Sequence, residues 1–109
     1  MALTIWHNPR CSKSRATLAL LTDRGLTPTV RLYLQDPPTL AELRVALARL
    51  RQPATTLMRR KDSPLPHSAT GDEILAALAA DPRLIERPLV LTDTAAALGR
   101  PPEAVLAIL

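Results

Sequence analysis

The sequence predicts an α/β fold in which a small mixed sheet is covered by helices, with a helical insertion in the middle of the chain. Three observations predict it. Short runs of strand-forming residues alternate with longer runs of helical periodicity. Those runs follow the order strand, helix, strand, several helices, then two strands and a last helix. The core must also be aliphatic, because Trp6 and Tyr33 are the only aromatic residues and 47% of the chain is hydrophobic. At 109 residues the chain has the length of one domain, taken as 1–109, which can bury a core without metals or disulfides.

Residues 3–6 (LTIW) form the first strand candidate, ended by the polar run from His7 to Arg10. From Ser12 the pattern is helical, with Ala16, Leu18, Leu20 and Leu21 as its apolar stripe and Gly25 as its stop. Residues 30–34 (VRLYL) read as a second strand, closed by Pro37 and Pro38. Thr39 and Glu42 have the spacing of a capping box, and Leu40, Leu43, Leu47 and Leu50 then share one helical face. Residues 54–61 suggest a short helix, 62–71 a loop, and 72–80 a helix with acidic residues in its first turn. Residues 89–91 (LVL) form a third strand and 95–98 a fourth, paired with it. Pro101 and Pro102 open the final helix. An opening βαβ unit with a ββα ending is the thioredoxin-like arrangement.

The charge count is 14 basic against 10 acidic residues, or +4, which favours anionic partners. The arginines are scattered and stacking aromatics are nearly absent, so no nucleic-acid surface is expected. No apolar run approaches the roughly 20 residues of a membrane span. No cluster has metal-ligand spacing, and one cysteine allows no internal disulfide. With no signal peptide at its start, the chain is expected in the reducing cytoplasm.

That one cysteine lies in HNPRCSKSR, residues 7–15, among polar and basic neighbours. At the start of the Ser12 helix, Cys11 would feel the helix dipole, free N–H groups, and the charge of Lys13, Arg15 and His7. The expected result is a thiolate at neutral pH. The same N–H groups, the hydroxyls of Ser12 and Ser14 and the Arg15 guanidinium would cradle a tetrahedral oxyanion against the sulfur. His7 reads equally as a capping or hydrogen-bonding residue. Three residues separate Cys11 from Arg15, where the cysteine-phosphatase signature has five.

The segment IWHNPRCSKSRATL resembles the opening of the glutaredoxin-linked arsenate reductases of ArsC type. LYLQDPP, LMRRK, IERPLV and GRPPEAVLAIL follow in that family's order, and the short bacterial branch is the nearest likeness. The resemblance implies a thioredoxin-like fold and reduction of arsenate to arsenite by glutathione and glutaredoxin, with glutathione as co-substrate and no bound cofactor. It implies Cys11 as nucleophile, with His7 and Ser14 helping to hold the thiolate. It also implies Arg59, Arg87 and Arg100 around the oxyanion, with Arg60 as the alternative to Arg59. Pro88 falls where the thioredoxin-like fold carries a cis proline. Compared with longer relatives, the 62–71 loop is short and a C-terminal tail is missing.

A single thiol agrees with this chemistry, since a two-electron reduction then needs an external thiol; the thioredoxin-linked class passes the disulfide among its own cysteines. Two other readings share the sequence features. One is a glutathione-dependent thiol reductase acting on another substrate. The other is an Spx-like regulator that binds RNA polymerase, although the Cys-x-x-Cys pair of its oxidation-sensing forms is here Cys11 and Ser14.

Overall fold

The computed structural model describes residues 2–59, 61 and 64–109. Four strands form one mixed sheet: β1 (Thr4–Trp6), β2 (Thr29–Arg31), β3 (Leu89–Leu91) and β4 (Ala96–Leu98). Their spatial order is β2-β1-β3-β4, with β1 parallel to β2 and antiparallel to β3, and β4 antiparallel to β3. The helices are α1 (Ser12–Asp23), α2 (Leu40–Leu50) and α3 (Gly71–Ala80). Short 3-10 segments occupy Ala54–Leu57, Pro82–Leu84 and Pro102–Ile108.

The sheet separates two cores, because alternate side chains of a strand point to opposite faces. Trp6, Leu89 and Leu91 face a layer that includes Leu43, Leu50, Ile74 and Leu78 of α2 and α3. Ile5 and Val90 face the other way, against Leu21 of α1 and Val105 of the last segment.

Local chemistry sets the helix ends. Beyond α1, Gly25 adopts φ +76°, its N–H bonds Thr22 O at 3.0 Å, and the Leu26 N–H bonds Leu21 O at 3.1 Å. That is the Schellman closure, which needs a left-handed residue that glycine adopts without strain. The capping box of α2 forms as the spacing predicts: Glu42 N–H donates to Thr39 Oγ1 at 3.2 Å and Thr39 N–H to Glu42 Oε1 at 3.0 Å. A second capping box, Thr70 with Glu73, starts α3 one residue before the predicted position.

Four expectations need correction. Of the predicted α1 stripe, Leu18, Leu20 and Leu21 pack against the core, but Ala16 is exposed and the fully buried positions are Ser14, Thr17 and Leu21. The second strand ends at Arg31 because the chain turns there, the N–H groups of Gln35 and Asp36 both returning to Leu32 O. The predicted helix over 54–61 is a 3-10 turn that stops at Leu57: Met58 bridges Ile85 and Arg59 N–H bonds Leu84 O, which draws the chain into extended pairing. The last helix is 3-10 rather than α. Within the predicted 62–71 loop, residues 62 and 63 lie outside the described residues, as does Arg60, and 64–70 hold no helix or strand. Among the described residues no helix is long and apolar enough to cross a membrane. The Arg87–Pro88 peptide bond is cis, as is Arg100–Pro101, which the sequence did not single out.

Candidate active site at the start of α1

The loop between β1 and α1 is held by Asn8. Its carbonyl accepts from Cys11 N–H and its Oδ1 from Arg10 N–H, both at 3.0 Å, and the resulting turn presents Cys11 as the N-cap of α1. The loop is fixed to the helix through Ser14, which is fully buried. Its hydroxyl lies 2.6 Å from His7 Nδ1 and accepts from Asn8 N–H at 3.0 Å. His7 is itself held by its backbone N–H on Arg31 O. Burial, and then the charge of Arg15, hold the His7 imidazole below its ordinary value, so it is neutral at pH 7 and adds no charge to the site.

Cys11 is buried. Burial alone would push its thiol up, but the opposing influences win and the thiol titrates below its ordinary value. The Ser14 N–H, the charge of Arg87, the Lys13 N–H and hydrogen bonding from the Arg87 guanidinium all favour the thiolate. No side-chain capping hydrogen bond of standard geometry reaches the helix from the sulfur, so these amides act as nearby dipoles. The charge that acts on the sulfur therefore comes from Arg87, far away in sequence. Arg15 instead places its guanidinium on Pro9 O at 2.9 Å, bracing the loop.

Arg87 is brought to Cys11 by close packing. A Cβ on Gly99 would lie 2.2 Å from Thr17 Oγ1 and 2.7 Å from Pro88 Cγ, so only glycine lets α1 approach the Pro88 segment this closely. Thr17 satisfies its buried hydroxyl on Lys13 O at 2.8 Å. The Arg87 side chain is 14% exposed, and its Nε is buried with no hydrogen-bond partner among the described residues. Arg100 joins it by donating to Arg87 O at 3.0 Å.

Arg59 is connected to the site through Tyr33, with which it lines one cavity. Burial pushes the Tyr33 phenol up, while Arg87, a hydrogen bond with the Asn8 side chain, and Arg59 pull it down; Cys11 adds to the rise. One phenol thus lies within electrostatic reach of Cys11, Arg87 and Arg59. Tyr33, Asn8, Arg59, Leu34 and Leu84 line a cavity of about 440 Å³. Sequence reasoning missed Tyr33 and Glu86 as site residues. Tyr33 carried a signal, being one of two aromatics in the chain; Glu86 carried only its place beside Arg87. No group of His, Cys, Asp and Glu suited to a metal occurs among the described residues.

Comparison with known proteins shows the family of the chain. The ArsC family profile matches residues 6–108. The arsenate reductase of Neisseria meningitidis serogroup A is 43% identical, covering 98% of this chain and 97% of that protein. The uncharacterized protein YfgD of Escherichia coli K12 is 45% identical over 95% of this chain and 93% of its own. A solved arsenate reductase from Vibrio cholerae superposes with a TM-score of 0.92 at 41% identity, covering 100% of this chain and 98% of that one. A thioredoxin-like sheet, a lowered thiol at the start of α1 and full-length similarity lead to one assignment: the chain belongs to the ArsC family.

Proposed function

We propose that this protein reduces arsenate to arsenite, taking its electrons from glutathione and glutaredoxin. The observation that carries the reading is Arg87, whose cationic guanidinium favours the Cys11 thiolate and whose buried Nε has no partner among the described residues. A nucleophile and an unsatisfied anion donor thus share one site. Arsenate would lie between Cys11 and Arg87, with Arg100 and Arg59 contributing charge and the Ser14 and Lys13 N–H groups completing the cradle. His7 and Ser14 hold the loop that presents the sulfur, and Arg15 braces it.

In the proposed sequence the Cys11 thiolate attacks arsenic and an arsenic oxygen departs as water, leaving a thiol–arsenate adduct. The glutathione thiol condenses onto the same arsenic, again releasing water. The two sulfurs then join as arsenic takes up an electron pair, regains one water and leaves as arsenite. A glutaredoxin thiol attacks the Cys11–glutathione disulfide and returns Cys11 to the thiol. Arsenic gains two electrons and two thiols become one disulfide, so the chain's single cysteine suffices.

A second reading, reduction of a glutathionylated compound, is favoured by the cavity beside Tyr33. Its 440 Å³ falls in the range of small-molecule sites and exceeds the needs of one tetrahedral oxyanion. The test is a coupled assay with glutathione, glutaredoxin, glutathione reductase and NADPH. Arsenate-dependent loss of NADPH that disappears in Cys11→Ser supports the first reading. Turnover of a glutathionylated thiol without any response to arsenate supports the second.

A further inference from the structure

Glu86 sits where an anion would be expected to sit. Its Oε1 lies 3.7 Å from Arg87 Nη1 and 3.6 Å from Arg100 Nη1, and accepts from the Arg87 backbone N–H at 3.3 Å. Its own backbone N–H is fixed to Leu57 O at 2.8 Å, which ties it to the segment leading to Arg59. The carboxylate is 23% exposed. Both guanidinium contacts exceed hydrogen-bond length, so Glu86 faces the two cations as a charge, without closing a bidentate pair on either.

We infer that Glu86 is a built-in counter-ion of the oxyanion site, holding Arg100 beside Arg87 and offsetting their charge until an entering oxyanion takes over both guanidinium groups. The inference rests on the oxyanion reading above and adds a residue to it. Burial already fixes Arg87, whose side chain is 14% exposed; Arg100, at 38%, relies on the Arg87 carbonyl and on Glu86. Counting Arg87, Arg100, Glu86 and the Cys11 thiolate, the formal charge is zero before substrate arrives. A tetrahedral oxyanion can offer an oxygen to each arginine while its central atom meets the sulfur. Glu86 is thus a positioning residue that holds the two cations together and weakens every entering anion until that anion displaces it.

Two readouts on the intact protein test this, both by alkylation of Cys11 with iodoacetamide, a neutral reagent that the arginines do not steer. The first is the pH dependence of alkylation; the second is protection by sulfate, arsenate or chloride at one fixed pH. The groups acting directly on Cys11 are Arg87, the Ser14 and Lys13 amides and the Tyr33 phenol, and none of them is altered; Glu86 reaches the sulfur only by offsetting the charge of Arg87. Glu86→Gln keeps the shape and removes the charge that offsets Arg87, so Cys11 should titrate lower than in the wild type. Half-protecting sulfate and arsenate should fall about threefold or more, and chloride by a smaller factor because it carries less charge. Glu86→Asp keeps the charge and should titrate as wild type. A folded Glu86→Gln with unchanged titration and unchanged protection overturns the inference. So does a Glu86→Asp variant whose Cys11 titrates lower than in the wild type, and that variant decides the matter if Gln does not fold. If Cys11 shifts in Glu86→Gln but neither oxyanion protects any variant, the counter-ion role stands and the arsenate reading alone falls.

Discussion

Two arginine clusters of this molecule use the same groups in opposite proportions. Around Arg31, acceptors outnumber the cation. The guanidinium pairs with Glu42 and with Asp36 Oδ2 at 3.3 Å, donates to the carbonyls of Asp36 and Pro37, and lies 5.8 Å over the Trp6 ring. Around Arg87 the proportion is reversed: two arginines share one carboxylate at 3.6–3.7 Å and a buried Nε has no partner among the described residues. A saturated cation is a fastener, tying β2 to the start of α2 through the capping-box glutamate. An unsaturated one costs folding energy and is available to something else. Both are arginines that face carboxylates in the fold, and the balance of acceptors around them separates fastening from binding.

The contrast predicts that variants of the two clusters fail differently. The largest effect belongs to the sulfur itself: Cys11→Ser should lose all arsenate-dependent NADPH oxidation in the coupled assay while its thermal melting stays near wild type. Arg87→Gln should follow, lowering kcat/KM for arsenate by about 10²-fold, in line with removal of one preorganised charged donor. It should also raise the pH at which Cys11 becomes reactive, because the charge that favours the thiolate is gone. Arg31→Gln should do the reverse, lowering the melting temperature and leaving the Cys11 titration unchanged. If Arg31→Gln shifts Cys11 as far as Arg87→Gln does, the two clusters are not separate devices.

Gly99→Ala lies between them, since it forces α1 away from Pro88. Overpacking of this kind costs about 1–3 kcal/mol, or a drop in melting temperature of several degrees for a domain of this size. Reactivity of Cys11 should fall with it, because Arg87 and the helix start then part. The smallest effect is the acid response of the fastener. The Arg31 side chain, then the Thr39 N–H, hold the Glu42 carboxyl at about 2, against an ordinary value of 4.5. Its contribution is therefore complete above about pH 4.5 and lost as the pH falls towards 2. The carboxylate is 43% exposed, so screening limits this to about 1 kcal/mol. Denaturant melts of wild type and Glu42→Gln should converge across that window.

Legibility of the sequence followed the same division. Elements fixed by local chemistry could be read: the capping box at Thr39, the glycine stop at Gly25, the Pro–Pro breaks and the LVL strand all rest on neighbours in the chain. The burial of Ser14 and Thr17 could not, because it depends on His7 across the loop and on Gly99 across the fold. The apolar residues of α1 therefore gave only part of its buried face: Leu18, Leu20 and Leu21 do pack against the core, while Ala16 is exposed and Ser14 and Thr17 take buried places. The basic surroundings of Cys11 gave the correct direction of its titration for partly the wrong reason. Backbone amides of α1 do act on the sulfur, yet the side-chain charge belongs to Arg87, 76 positions along the chain. Family resemblance placed Arg59, Arg87 and Arg100 together where composition could not.

The reactive thiol is thus assembled from pieces spread over residues 7–15, 33 and 86–87, and the spacing of those pieces has a consequence for the nascent chain. A ribosome-bound or unfolded copy has the cysteine but not the distant guanidinium or the helix start, so its sulfur returns to the ordinary range of about 8.5 and is largely protonated at neutral pH. The lowered titration of Cys11 is therefore a property of the folded chain alone, and its return towards the ordinary range on unfolding follows the parting of the sulfur from Arg87 and the helix start.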